Sequence, residues 1–191
     1  MKTLAMKTLA MKNILFVLLL SISFMSHAAE FSKVQIDKSR IIFASKQMGV
    51  SVEGEFKKFG AKVRINPSKV ENGVAQVEID MASIDAGSSE ANEEVKGKSW
   101  FDTTSYPQAN FVSSSVKSLG GGKYEAIGKL TIKGKSVDMS APFVMKEENG
   151  ALHIDGVFAL KRLEFGIGSG LWSDTSVVAD EVQIKFHLVF K

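Results

Sequence analysis

Beyond position 28 the chain carries two imidazoles, His153 and His187. Either could act as a general base if a serine or a carboxylate stood beside it. His187, however, falls on the polar face of the last alternating run, with Gln183, Lys185 and Lys191. That placement points it away from an interior. The chain has no cysteine, which removes thiol nucleophiles, redox pairs and thiolate metal sites. Glu78, Asp80 and Asp85 are close in sequence, but alternation spreads them, so a solvated turn is the expectation. Asp174, Asp180 and Glu181 offer oxygen ligands without the spacing of a calcium loop. Gly166, Gly168 and Gly170 lack the strand-to-helix context of a phosphate cradle. Lys57 with Lys58, and Lys133 with Lys135, suit exposed turns, with an acidic head group or a membrane surface as the alternative partner. The expectation is no catalytic set, no metal and no cofactor.

Residues 1–28 read as a secretory leader. Lys2, Lys7 and Lys12 precede the apolar run from Ile14 to Leu20, and Ser26-His27-Ala28 supplies small residues at an exit, with cleavage expected after Ala28. The apolar stretch is too short for a membrane span, which needs about 20 residues. The opening Met1-Lys2-Thr3-Leu4-Ala5 is repeated at 6–10, as tandem starts would be. The sequence as a whole has a formal net charge of +3, but the leader holds three lysines and no acid. The remaining segment, 29–191, therefore balances 21 basic against 21 acidic residues. It has no basic footprint, and nucleic acid is not an expected partner. Its length suits one domain with a real core.

Period-two alternation runs from residue 33 to the end. Val182, Ile184, Phe186, Leu188 and Phe190 share one face of the final run. Val137 to Met145 and Leu152 to Leu160 repeat the pattern. Turn signals divide the runs at Asn72-Gly73, Gly120-Gly121-Gly122, Lys133-Gly134 and Asn149-Gly150. Residues 88–98 depart from it, with capping serines ahead of Glu93 and Glu94, and one short helix is predicted there. An antiparallel meander of this length must protect its edges, and closure into a barrel is one way.

These residues resemble a known family. Ile36-Asp37-Lys38-Ser39, Phe43 and the run Met48 to Phe56 are similar to the N-terminal signature of the YceI-like, polyisoprenoid-binding proteins. So are Ile79 to Asp85, Trp100-Phe101-Asp102, Tyr106 to Phe111, Gly128 to Gly134, Arg162 to Gly166 and Asp180-Glu181-Val182. The resemblance covers nearly all of residues 31–191. It departs where family histidines are common: this chain has Lys38, Gln47 and, on the helix, Ala91, Asn92 and Glu94. The family implies an all-β, eight-stranded, lipocalin-like antiparallel barrel in the periplasm, holding a long isoprenoid or quinone-like chain. It implies binding rather than catalysis.

Eleven of the thirteen phenylalanines lie beyond residue 28, and phenylalanine offers area without a polar group to satisfy. Phe43, Val52, Phe56, Phe111, Leu130 and Ile132 are the expected apolar lining, with Met139, Phe143, Phe158 and Phe186. Trp172, with Trp100, suits the mouth or the core equally. Alternating Phe, Val and Ile also describe an ordinary filled core, so pattern alone leaves both open. A lipid-modifying enzyme using His153 or His187, and a filled scaffold for a protein partner, are the rival readings. Monomer and homodimer, and transient membrane contact, stay open.

Overall fold

The structure is a computed structural model that describes residue 31 and residues 33–65 and 69–191. The expected leader over 1–28 and its cleavage point lie outside the described residues. Among the described residues ten strands form one antiparallel sheet: β1 Arg40–Gln47, β2 Val50–Phe56, β3 Phe59–Arg64, β4 Val74–Asp80, β5 Ile84–Asp85, β6 Gln108–Gly120, β7 Lys123–Ile132, β8 Lys135–Glu148, β9 Ala151–Lys161 and β10 Glu181–Phe190. Their ladder order is β3-β4-β6-β7-β8-β9-β10-β1-β2-β5. The single α-helix among the described residues, α1, spans Ser89–Lys96.

The count corrects the expected eight strands to ten, and the ladder order is linear rather than cyclic. Two of the alternating runs are each broken. Lys57 and Lys58 interrupt the first between β2 and β3, and a 3-10 turn, Met81–Ser83, interrupts the second between β4 and β5. Local polar groups favour the second break. Asp80 Oδ1 accepts from Ala82 N–H at 3.0 Å, and Ser83 Oγ accepts from Lys58 N–H at 2.9 Å. The breaks face each other, and main-chain bonds cross them: Lys57 N–H donates to Ser83 O at 3.2 Å and Asp80 N–H to Lys58 O at 3.0 Å.

Three hairpins turn on residue pairs with φ positive at both positions: Met48-Gly49 (48°, 80°), Lys133-Gly134 (50°, 74°) and Asn149-Gly150 (53°, 70°). These are the twist-matching turns that short antiparallel links prefer. Asn72-Gly73 does not behave this way. The chain forms a 3-10 turn over Val70–Asn72, and Gly73 takes φ −68°, so the β3–β4 link is longer than a tight hairpin. Ser88 Oγ caps α1 by accepting from Ala91 N–H at 3.2 Å, and Gly97 ends the helix.

The first and last long strands join the sheet's two halves. β1 pairs β10 from Arg40↔His187 to Ala44↔Gln183, and Val34 bridges to Phe190. Curling places one face inside, where Phe190, Phe165, Leu152 and Val116 are almost fully buried. The curl needs glycine at two inward positions. Gly54 stands opposite Phe43, and Gly156 opposite Phe186. A Cβ on Gly156 would meet Phe186 Cζ at 2.2 Å and Pro142 O at 2.6 Å. The aromatic ring occupies the space a side chain would take, as in designed curved sheets. Gly156→Ala is therefore expected to destabilise the fold by about 1–3 kcal/mol, read as a lower urea midpoint with an unchanged slope. Because Pro142 O belongs to the backbone, trimming Phe186 to leucine restores only part of the loss.

Candidate functional site

Four segments gather at one end of the curled sheet: the β1–β2 tip, α1 with the residues after it, the β7–β8 turn, and the connection 162–180 between β9 and β10. Met48 N–H donates to Val177 O at 2.8 Å, and Ala179 N–H to Lys46 O at 2.9 Å. Ser169 N–H donates to Ser99 O at 2.8 Å. Lys133 Nζ reaches Lys98 O at 2.8 Å and Gly166 O at 3.0 Å, and its burial there pushes its pKa down. Beneath this frame lies a cavity of about 540 Å³. That is within the roughly 300–1,000 Å³ of sites for drug-sized ligands.

The walls of this outer cavity are apolar over most of their area. Ile41, Phe43, Val52, Phe56, Ile84, Leu160, Val182 and Ile184 come from the sheet, and Ala91 and Val95 from α1. Gln47, Glu53, Glu90 and Glu94 supply the exposed polar rim. A second cavity of about 110 Å³ lies deeper, toward Val63, Val116, Phe143 and Leu188. Ile41, Ile79, Ala109, Leu130, Phe158 and Ile184 border both, so they form a waist between them.

The lining expected from sequence divides between the two spaces. Phe43, Val52, Phe56, Ile132 and Trp172 border the outer cavity, Phe111, Met139, Phe143 and Phe186 the inner one, and Leu130 and Phe158 both. Large side chains nearly fill the inner half, while the outer half stays hollow. Sequence reading missed Ile79, Met81, Ile84 and Phe101, together with the wall from α1. Ile79 and Met81 close an alternating run that ends at the 3-10 turn Met81–Ser83, and Ile84 lies beyond that break. The α1 residues belong to a charged helix whose inner side was not legible from its polar composition.

Arg162 holds the mouth together. It is 2% exposed, and its guanidinium gives all its N–H groups to backbone carbonyls. Nε donates to Ala179 O at 3.0 Å, Nη1 to Ile167 O and Gly168 O, and Nη2 to Trp172 O and Val178 O. Five carbonyls of the 162–180 connection thus converge on one cation. Its guanidinium also lies 5.7 Å from the Trp100 ring centroid. Trp100 packs on Trp172 at 5.4 Å and donates Nε1–H to Glu94 at 3.1 Å. Both tryptophans therefore stand at the cavity.

The remaining candidates are surface groups. His187 Nδ1 lies 2.6 Å from Asp155, with the His153 ring 5.8 Å away, on the outer face of β9 and β10. Asp174 caps a turn through Ser176, and Asp180 Oδ1 accepts from Leu163 N–H. Among the described residues no cluster of three such groups could hold a metal ion. Asp85 pairs with Lys57 across the strand breaks. Lys57's hydrogen bond, the Gly87 N–H and the Lys57 charge hold the Asp85 carboxyl below the usual carboxylate range.

Against this geometry the comparisons are specific. The YceI-like domain profile matches residues 33–190, and the chain belongs to that family. BcnA of Burkholderia cenocepacia superposes with a TM-score of 0.81 at 50% identity, covering 82% of this chain and 99% of that one. A polyisoprenoid binding domain from Saccharophagus degradans, implicated in plant cell wall breakdown, superposes at 0.66 with 14% identity over 85% of this chain and 99% of its own, a likeness of fold. A UPF0312 protein of Shewanella denitrificans is 32% identical over 95 residues, 49% of this chain and 50% of that protein. The chain spans about half the length of the curated relatives it matches.

Arg162→Met is expected to orphan the mouth carbonyls and cost at least about 3 kcal/mol. Chemical denaturation measures the loss, and hydrogen exchange should show the 162–180 connection opening first. Arg162→Lys restores less than half, since one ammonium cannot span the five acceptors. A carboxyl whose folded pKa is lowered stabilises the fold above its unfolded value. That contribution is lost as pH falls through the folded pKa. Asp85 therefore makes the β5–α1 link weaken below about pH 4. Hydrogen exchange at Ala86 and Gly87 checks this, and Asp85→Asn should flatten the acid dependence there.

Proposed function

We propose that this protein binds a long apolar chain of the isoprenoid or quinone type inside its curled sheet, and carries or sequesters it. The observation that carries the reading is the apolar outer cavity of about 540 Å³, roofed by a frame that Arg162 fixes in place. Enclosing hydrocarbon contributes about 0.8 kcal/mol per CH₂. Ten enclosed carbons supply roughly 8 kcal/mol, which before association costs corresponds to about micromolar affinity. The likeness to a domain described as polyisoprenoid binding supports the same ligand class.

On this reading the main-chain bonds across the strand breaks keep the sheet shut as a barrel. The expected leader over 1–28 delivers the domain to the periplasm, where an insoluble chain needs a carrier through water. Catalysis has no support in the site: both histidines point outward, and Arg162, the one buried cation among the described residues, is spent on backbone carbonyls.

Organic-solvent extraction of natively purified protein, followed by mass spectrometry, should release an isoprenoid lipid. Added polyprenol should change the emission of Trp100 and Trp172. Val182→Trp, which places a large ring in the outer cavity, should reduce the extracted lipid at least tenfold while the protein stays folded by circular dichroism. Empty protein and no response to added polyprenols or quinones would refute the reading.

A further inference from the structure

Apart from the tryptophans, the polar side chains bordering the outer cavity are Ser45, Gln47, Glu53, Glu90, Glu94 and Arg162. Ser45 Oγ has no accessible surface and is turned away from the space. Arg162 is the one cation of the set, and its guanidinium donors are all on backbone carbonyls. The neighbouring lysines are committed as well. Lys133 Nζ is held by Lys98 O and Gly166 O, Lys185 pairs with Glu53 at 2.7 Å, and Lys96 with Glu93 at 3.1 Å. Lys46 lies between Ser45 and Gln47 on β1, so alternation sends it to the outer face. Lys98 and Lys135 do not border the cavity. An anionic head group entering the mouth finds no free cation in the cavity wall.

The carboxylates are placed differently. Glu90, Ala91, Glu94 and Val95 share one side of α1, and all four border the cavity. Like charges four residues apart weaken a helix, so helix stability does not account for the Glu90–Glu94 pair. Glu94 accepts Trp100 Nε1–H at 3.1 Å, which holds it beside the cavity wall. Glu90 and the amide of Gln47 are exposed at the rim and make no side-chain hydrogen bond among the described residues. The waist, by contrast, is formed by apolar side chains alone. A chain with one polar end therefore sits with that end at the rim and its hydrocarbon toward the waist.

We propose that the mouth sorts isoprenoids by the charge of their polar end, admitting an uncharged or cationic end and turning away phosphorylated chains. The inference rests on the reading that the cavity holds an apolar chain. A phosphate at the rim sets negative charge against Glu90 and Glu94 with no cation to receive it. A hydroxyl in the same place donates to the Glu90 carboxylate and accepts from Gln47 Nε2, a carbonyl oxygen accepts from that amide, and an ammonium donates to both residues. Burial of the chain supplies the affinity, and the rim decides which ends are tolerated. Because the rim is open to water, the discrimination weakens as salt rises.

Geranylgeraniol, geranylgeranylamine and geranylgeranyl diphosphate share one chain and differ only at the polar end. Each is titrated into the wild-type protein and into the double variant Glu90→Gln, Glu94→Gln, with tryptophan emission as the signal; glutamine at 94 keeps an acceptor for Trp100. In the wild type the alcohol is expected to bind about tenfold more tightly than the diphosphate, and the amine at least as tightly as the alcohol. In the double variant the gap between alcohol and diphosphate should shrink to about threefold or less, and the amine should lose its advantage. Raising salt from about 0.02 M to about 0.5 M should narrow the wild-type gap in the same direction. A diphosphate that binds the wild type as tightly as the alcohol, or a gap that the double variant leaves unchanged, would overturn the charge sorting while leaving the cavity reading intact. If none of the three compounds, nor a longer polyprenol, binds the wild-type protein, the cavity reading fails and the sorting falls with it.

Discussion

The pairing of β1 with β10 is the constraint on which the rest of the molecule depends. It joins the first long strand to the last across most of the chain, and so makes β1, β2 and β5 part of the same curled sheet as β3, β4 and β6 to β10. Every inward side chain then competes for one enclosed volume. Backbone groups on the curled sheet find partners in neighbouring strands, so the interior needs few polar atoms. What the side chains do not fill remains as space.

That space is uneven for a reason visible in the residues. At the end bearing the Gly120–Gly122 and Asn149-Gly150 turns, Phe143, Met145, Ile154 and Leu188 crowd the interior. Toward the other end, Ser45, Ala86 and Ala91 present small side chains, and Gly54 yields its place to the Phe43 ring. A roof built from a short helix and an irregular connection covers the wider end. The roof packs Phe165 and Ile167 into the core and leaves Leu171 94% exposed, and its irregular backbone carries carbonyls outside the strands. Arg162 compensates by collecting carbonyls that would otherwise lose their hydrogen bonds. A buried cation serving only backbone acceptors makes the roof's shape depend on one side chain.

The mouth therefore combines a rigid frame with an apolar throat. Trp100 links α1, through Glu94, to the guanidinium and to Trp172. Lys133 ties the β7–β8 turn to Lys98, two residues beyond α1, and to Gly166. These contacts fix the entrance without lining the whole of it with polar groups. The polar residues of the cavity lie mainly at its rim, with Gln47, Glu53, Glu90 and Glu94.

Much of the architecture is legible in the residues themselves. Alternation sets the strands and their inner faces, paired turn residues set the hairpins at Lys133-Gly134 and Asn149-Gly150, and the serines at 88 and 89 mark the helix start. The ordered motifs indicate the family. The two strand breaks are only partly legible: Asp80 favours its turn locally, but the bonds that set the breaks against each other run between Ser83 and Lys58, distant in sequence and adjacent only in the fold. The division of the lining is not legible. Phe43 and Phe143 look alike in pattern, yet one borders a hollow and the other a nearly filled space, since cavity volume depends on all strands together. The role of Arg162 depends on carbonyls up to 17 residues away that only the folded connection brings together. The residues fixed which faces turn inward; tertiary packing alone decided how much room is left there, because volume is a property of the assembled sheet and not of any strand.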